Sequence, residues 1–163
     1  MVRWPDRRYN PTEALVALLE ARMKTVRQML HGKTALISIS PTATVYDALA
    51  LMAQHDVGAV VVLDGGQLAG VFSERDYARK VILHGKASKE LSVSEVMTPR
   101  VLCVGPDDSV EACMALMTDK RVRHLPVMDR DAVVGVVSIG DVVKALLHEQ
   151  QFLITQLERY ITA

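Results

Sequence analysis

Short apolar runs alternate with amphipathic stretches along this chain. The run over residues 58–63 is continuously apolar and of strand length, which predicts a strand buried on both faces. The sequence Asp-Gly-Gly-Gln at 64–67 then predicts a tight hairpin, with a return strand over residues 68–72. On either side of the hairpin, apolar residues recur at helical spacing and predict helices over residues 45–55 and 73–83.

This succession of elements occurs twice, at an offset of 65 positions, and no gap is needed between residues 37 and 147. The same residue types mark the last strand-to-helix junction of both copies: Gly70, Val71, Ser73 and Asp76, then Gly135, Val136, Ser138 and Asp141. Strands are predicted over 35–39, 101–104, 124–128 and 133–137, and further helices over 109–120 and from 140 onward. Two copies are too few for a solenoid, so we expect a pseudo-symmetric pair.

Each copy therefore contains the order strand, helix, strand, strand, helix, which indicates an α+β fold. A unit of about 60 residues is marginally stable alone, so we expect the two copies to share an interface. Five segments are predicted: an N-terminal helical segment (1–32), a first repeat (33–85), a linker (86–99), a second repeat (100–148) and a C-terminal helical tail (149–163).

The two ends of the chain carry apolar residues at helical spacing. Residues 10–13 have the composition of a helix start, and Thr25 is placed to begin a short helix that ends at Leu30. The tail over residues 151–161 has an apolar stripe, which either extends the preceding helix or packs beside the N-terminal one.

Composition narrows the class of protein. Lys+Arg and Asp+Glu are both 19, so nothing favours a general nucleic-acid or anionic-membrane surface. The longest apolar run is far shorter than a membrane span, and residues 1–8 contain no apolar core of a secretory signal. Cys103 and Cys113 fit neither a disulfide framework nor a metal cluster, and we expect both to be buried apolar residues. A soluble cytoplasmic protein without a metal is expected.

The element order, with Gly-Val-x-Ser-x-x-Asp at each junction, resembles the CBS domain, and the duplication resembles a tandem CBS pair, or Bateman module. Residues 96–99 (Val-Met-Thr-Pro) and 123–127 (Arg-His-Leu-Pro-Val) are typical of that family. The resemblance implies an α+β fold of two pseudo-symmetric repeats packed sheet to sheet, with flanking N- and C-terminal helices. Residues 73–80 and the tail over 151–157 are similar to a stand-alone bacterial subgroup associated with NAD and AMP. The family also implies a homodimer and a regulated protein whose identity is unknown.

The junction residues suit a nucleotide chemically. A serine hydroxyl donates to a phosphate oxygen, and a carboxylate accepts from the two hydroxyls of a ribose. The resemblance implies these roles for Ser73, Asp76, Ser138 and Asp141. Arg75 can add charge beside a phosphate in the first copy, and Arg121, Arg123 and His124 are candidates for the same role at the second site. Val60, Val71 and Val136 are candidate apolar walls for the adenine, and Gly58 and Ala59, at the positions that match Arg123 and His124, are further candidate nucleotide-binding residues.

The same Ser-x-x-Asp spacing also fits a capping box, in which the two side chains only satisfy backbone amides. Two functions therefore stay open. One is a non-catalytic module that senses an adenine nucleotide (AMP, ADP, ATP or NAD(H)) between the repeats. The other is a homodimeric interaction or scaffold module, with a redox protein as one conceivable partner. A nucleophile elbow, a metal cluster and a P-loop are all missing from the sequence, so we do not expect an enzyme.

Overall fold

The structure is a computed structural model that describes residues 24–33 and 35–162. The helix start predicted at residues 10–13 and the apolar stripe that follows it lie outside the described residues. The first half contains α1 (Val26–Leu30), β1 (Ser38–Ile39), α2 (Val45–His55), β2 (Ala59–Asp64), β3 (Gln67–Ser73) and α3 (Glu74–Lys80). The second half contains α4 (Val110–Lys120), β4 (His124–Asp129), β5 (Ala132–Ser138) and α5 (Ile139–Thr162). Two 3₁₀ turns complete the order, at Ile82–His84 and Val93–Glu95.

Each half is built on one antiparallel hairpin. In the first, β2 pairs with β3 around the predicted turn, and β1 adds a parallel strand on the other edge of β2. In the second, β4 pairs with β5. Both hairpins carry an irregularity at the equivalent place, between Val62 and Leu63 and between Val127 and Met128. The pseudo-symmetry predicted from the 65-residue offset is therefore confirmed down to a local irregularity. Strands β3 and β5 contact each other, so the two repeats meet through their sheets.

The strand predicted over residues 101–104 is wrong. Only an isolated parallel bridge between Val104 and Val127 remains there. In the first repeat the amide of Val61 donates to the carbonyl of Ile37 at 3.3 Å. The residue at the offset position of Val61 is Pro126, which has no N–H to donate, so the equivalent hydrogen bond cannot form. The second sheet consequently has two strands where the first has three.

Helix boundaries follow the local capping residues. Thr25, Ser73 and Ser109 cap the starts of α1, α3 and α4 by accepting backbone N–H groups, as does Thr44 for α2. The helix predicted over residues 73–83 is shorter than expected, because α3 ends at Lys80 and a 3₁₀ turn takes the chain to Gly85.

Two apolar cores lie in the two repeats, and each is completed by a segment that precedes the other repeat. Val26 of α1 is fully buried in the core of the second repeat, and the amide of Val26 donates to the carbonyl of Asp108 at 2.9 Å. In return, Val93 and Val96 from the linker are buried in the core of the first repeat. Because Val26 precedes the first repeat but is buried in the second repeat's core, the two repeats cannot be separated without opening that second core.

The C-terminal tail extends the last helix, so α5 is a single helix of 24 residues. No helix among the described residues is long and apolar enough to cross a membrane. Cys113 is buried as expected, whereas the expectation for Cys103 is wrong, since it is only partly buried.

Candidate functional site

A cavity of about 580 Å³ lies between the two repeats, at the start of α5. This volume is within the range of small-molecule sites. The first repeat and its preceding segment supply one group of lining residues: Leu30, Lys33, Ala35, Leu36, Ile37, Asp56, Val57, Gly58 and Ala59. The second repeat supplies the other: His124, Val134, Gly135, Val136, Ser138 and Asp141. The cavity therefore needs both halves of the duplicated chain.

Ser138 and Asp141 form a capping box at one wall of the cavity. Oδ2 of Asp141 accepts the amide of Ser138 at 2.7 Å and its hydroxyl at 2.8 Å, and the Asp141 amide donates to Ser138 Oγ at 3.2 Å. All of these bonds to the carboxylate involve Oδ2. The other oxygen, Oδ1, accepts no hydrogen bond from the part of the chain that the structure describes. Capping therefore leaves one carboxylate oxygen free to accept a donor.

Lys33 adds an ion pair to the same carboxylate oxygen. Its ammonium contacts Asp141 Oδ2 and donates to the carbonyl of Val136 at 2.9 Å. Burial disfavours the charged form of Asp141, but the hydrogen bonds from Lys33 and Ser138 outweigh it and lower the pKa of the carboxyl. Asp141 is consequently ionised at neutral pH, with its charge balanced by Lys33.

His124 lies on the strand opposite Ser138, since the two are register partners in the β4–β5 hairpin. Its ring packs beside Gly58, where a Cβ would come within 3.5 Å of the imidazole. Burial lowers the pKa of His124, more than the nearby Asp141 raises it, and Lys33 and Arg123 lower it further. The imidazole is therefore neutral at pH 7 and adds no positive charge to the cavity.

The corresponding pair in the first repeat is more fully occupied. Ser73 and Asp76 form the same capping box through Asp76 Oδ2, with distances of 2.7–3.2 Å. Asp76 Oδ1 is also engaged, by Lys80 at 2.8 Å and by the hydroxyl of Thr98 at 3.2 Å. Both oxygens of Asp76 have partners in this conformation, whereas one oxygen of Asp141 does not.

The structure brings six of the residues predicted from sequence into the cavity: Gly58, Ala59, His124, Val136, Ser138 and Asp141. The others lie outside its lining: Val60, Val71, Ser73, Arg75, Asp76, Arg121 and Arg123. Val60 is buried in the core of the first repeat, and Val71 bridges to Thr98. The Arg75 guanidinium donates to the carbonyl of Arg121 at 3.1 Å, so Arg121 lies beside the first repeat's junction.

Sequence reasoning missed Lys33 and Asp56. Lys33 lies in an irregular segment, and 108 residues separate it from Asp141, so periodicity and motif spacing gave no signal for it. Asp56 was visible only as the end of a helix, where it adopts a left-handed conformation with φ of 51°. No cluster of His, Cys, Asp and Glu within the described ranges has the geometry of a metal site.

Comparison with known proteins identifies the duplicated unit. The family model for the CBS domain matches residues 26–82 and again residues 93–148. The chain is 46% identical over 123 residues to the CBS domain-containing protein CBSX3, mitochondrial, of Arabidopsis thaliana. That match covers 72% of this chain and 60% of the plant protein, so this chain spans only about three fifths of that relative's length.

Solved structures show the same architecture. A protein with CBS domains from Burkholderia ambifaria is 45% identical, with a TM-score of 0.73, and the match covers 78% of this chain and 96% of that one. The CBS pair of protein MJ0100, solved with 5′-methylthioadenosine and S-adenosyl-L-methionine, has a TM-score of 0.69 at 21% identity. That match covers 78% of this chain and 98% of the other, and at this identity it shows the fold alone.

Proposed function

This chain belongs to the CBS-domain family, and from that premise we propose that it is a non-catalytic regulatory module that senses an adenine nucleotide in the cleft between its repeats. The 580 Å³ cavity supports this function most directly, because it places Ser138 and Asp141 of one repeat opposite the start of β2 in the other. The adenosine derivatives bound by the MJ0100 pair make adenosine-containing ligands the first class to test.

The proposed contacts follow from the chemistry of each wall. Asp141 accepts the ribose hydroxyls, because its Oδ1 has no donor from the described chain and a carboxylate matches a diol. The dipole of the 24-residue helix α5 favours an anionic group near the start of that helix. Val136, Gly58 and Ala59 bound the space for the base. Among adenine nucleotides, AMP and NAD(H) are the first candidates.

The first repeat offers a second proposed site at Ser73 and Asp76. A ligand there has to displace Lys80 and Thr98 from Asp76 Oδ1 before the carboxylate can accept a ribose. Arg75, Arg121 and Arg123 are proposed to supply charge for its phosphate. We therefore expect weaker binding at this junction than in the cavity beside α5.

Calorimetry with AMP, ADP, ATP and NAD tests the proposed function. Asp141→Ala is expected to abolish the heat from the cavity, and Asp76→Ala any heat from the first junction. A matched control is Asp107→Ala, which removes an exposed carboxylate paired with Arg27 and not lining the cavity. Absence of heat in the wild type for all four ligands would show that the proposed function is wrong for those ligands.

A sensor also needs a surface that reads the bound state, because a ligand changes a conformation only through differential affinity for it. The regulated partner is unidentified. A redox protein is one candidate class, and the cytoplasmic location expected from the sequence stays a prediction. The plant relative carries the word mitochondrial in its name.

A homodimeric interaction module is the second candidate, and the exposed face of α5 favours it. Apolar side chains recur there at heptad-like spacing, with exposed fractions of 41–81%: Val143, Leu147, Ile154, Leu157 and Ile161. Such a stripe suits the same helix of a second copy. Sedimentation of the wild type and of Leu157→Glu tests this arrangement, since the charged variant is expected to be monomeric. A ligand-independent melting temperature would favour this candidate over the sensor.

A further inference from the structure

Lys33 is the cation that the cavity holds closest to the proposed ribose site. Its ammonium lines the cavity and is bonded to Asp141 and to the carbonyl of Val136. The side chain is partly exposed, with 35% of its surface accessible, so it has room to move. Lys33 is therefore in a position either to block a ligand or to contact it.

The bonding of Asp141 decides between these positions. Oδ2 already accepts three donors: the Ser138 amide, the Ser138 hydroxyl and Lys33. An oxygen with three donors has no capacity left for a further one. A ribose diol that uses Oδ2 as well as the unoccupied Oδ1 therefore requires Oδ2 to lose one donor. The two Ser138 bonds are held by the helix start, whereas Lys33 reaches Oδ2 on a flexible stem.

The charge of the lining decides where Lys33 goes. Its charged residues are Lys33, Asp56 and Asp141, and His124 is neutral at pH 7. Lys33 is thus the only cation among the described lining residues, and it is already balanced by Asp141. A ligand that takes Asp141 from Lys33 leaves the ammonium unpaired unless the ligand brings its own negative charge.

We infer that Lys33 selects the charge of the ligand by exchanging Asp141 for a phosphate, so that the cavity prefers a nucleoside monophosphate. An uncharged nucleoside breaks the Lys33–Asp141 ion pair and supplies no negative group to pair with the Lys33 ammonium. A triphosphate brings several negative charges to a lining with one cation and two carboxylates. A monophosphate replaces one charge-assisted contact by another. This inference rests on the proposed function and names the ligand class and a specificity-determining residue.

The test compares adenosine, AMP and ATP by calorimetry on the wild type, Lys33→Met and Lys33→Arg. Binding heat is assigned to this cavity when the Asp141→Ala variant no longer shows it. We expect the wild type to bind AMP about tenfold more tightly than adenosine, in line with the net contribution of a hydrogen bond to a charged group. Lys33→Met keeps the apolar stem and is expected to bind AMP more weakly and adenosine more tightly. Opposite shifts are the signature, because a loss of cavity shape weakens both ligands.

Two control variants separate the effect of the Lys33 charge from general effects on stability and surface charge. Lys33→Arg keeps the charge and is expected to retain the preference for AMP, even where Lys33→Met lowers the melting temperature. Arg27→Ala removes a basic residue of the same segment whose partner is the exposed Asp107, and it is expected to leave the preference unchanged.

The results separate the inference from the function it rests on. An unchanged AMP-to-adenosine ratio in Lys33→Met, or tighter binding of ATP than AMP by the wild type, would overturn the inference and leave a nucleotide sensor in place. If no adenine nucleotide binds the wild type, both are wrong.

Discussion

Gly70 and Gly135 occupy the same position in the two repeats, yet the structure predicts different costs for adding one methyl group to each. A Cβ on Gly70 would lie 2.7 Å from the backbone oxygen of Thr98 and 2.8 Å from the sulfur of Met97. A Cβ on Gly135 would lie 2.7 Å from a terminal methyl of Leu30. The first neighbour is a backbone group, and the second is the end of a flexible side chain.

The Gly70→Ala substitution forces the backbone at Thr98 to move. Thr98 is held against β3 by two hydrogen bonds to Val71, of 2.8 and 3.1 Å, and both weaken when it shifts. Overpacking costs about 1–3 kcal/mol, and a weakened hydrogen bond adds up to about 1 kcal/mol. Replacing glycine by alanine also lowers the conformational entropy of the unfolded chain, which offsets the loss by about 0.4–1 kcal/mol. The net loss in free energy of unfolding is about 2 kcal/mol.

The Gly135→Ala substitution displaces the Leu30 side chain, whose two terminal methyls would lie 2.7 and 3.0 Å from the new Cβ and whose Cγ would lie 3.4 Å from it. This side chain lines the 580 Å³ cavity, so it can rotate into open space. The cost of the displacement and the entropic gain of about 0.4–1 kcal/mol nearly cancel, and we expect a change close to zero.

Thermal and urea unfolding of the two variants measure this difference. At about 2–4 °C per kcal/mol for a chain of this size, Gly70→Ala is expected to melt about 4–8 °C below the wild type and Gly135→Ala within about 2 °C of it. Equal losses in the two variants, or a larger loss in Gly135→Ala, would refute the reasoning from the identity of the neighbour.

Three further predictions concern single side chains. Val26→Ala is expected to lower the free energy of unfolding by about 2 kcal/mol in urea titrations, because Val26 is fully buried in the second repeat's core. A loss near zero, as expected for a surface residue, would contradict that packing. The lowered pKa of His124 predicts that the melting temperature falls from about pH 6.5 downward, because the unfolded chain binds the proton at a higher pH than the folded one. His124→Gln is expected to flatten this fall. If the wild type and the variant gave parallel curves of melting temperature against pH, another group would be responsible. The lowered pKa of Asp141 predicts that Asp141→Asn costs about 1 kcal/mol at pH 7. The difference between the two proteins is expected to shrink as the pH falls below the carboxyl's ordinary pKa and through its lower folded pKa, because the stabilising charge is then lost. A difference that does not shrink on acidification would count against ionisation as its source.

Much of the fold could be predicted from the sequence because local signals and the duplication agreed. Thr44 and Ser109 cap helices where their side chains indicated, and the hairpin turn at 64–67 forms between its two apolar runs. The strand over 101–104 could not be excluded by its own composition. The residue that prevents it is Pro126, on a neighbouring strand, and a long-range pairing of this kind carries no local signal.

The candidate site was predictable only in part, for the same reason. The two meanings of Ser-x-x-Asp were both visible in the sequence, and the structure shows that capping occupies one oxygen of Asp141 and leaves the other. Periodicity could not place Lys33, since its contact with Asp141 depends on how the segment before the first repeat crosses to the second. Arg121 occupies the offset position of Asp56, and whereas Asp56 lines the cavity, Arg121 lies beside Arg75 of the first repeat.

The reciprocal exchange of α1 and the linker segment has a consequence for how this chain can be cut. A protease nick near residue 87 would leave an N-terminal piece that carries Val26, needed by the C-terminal piece, and a C-terminal piece that carries Val93, needed by the N-terminal one. The two fragments would therefore stay associated without a covalent link, and neither would remain folded in isolation.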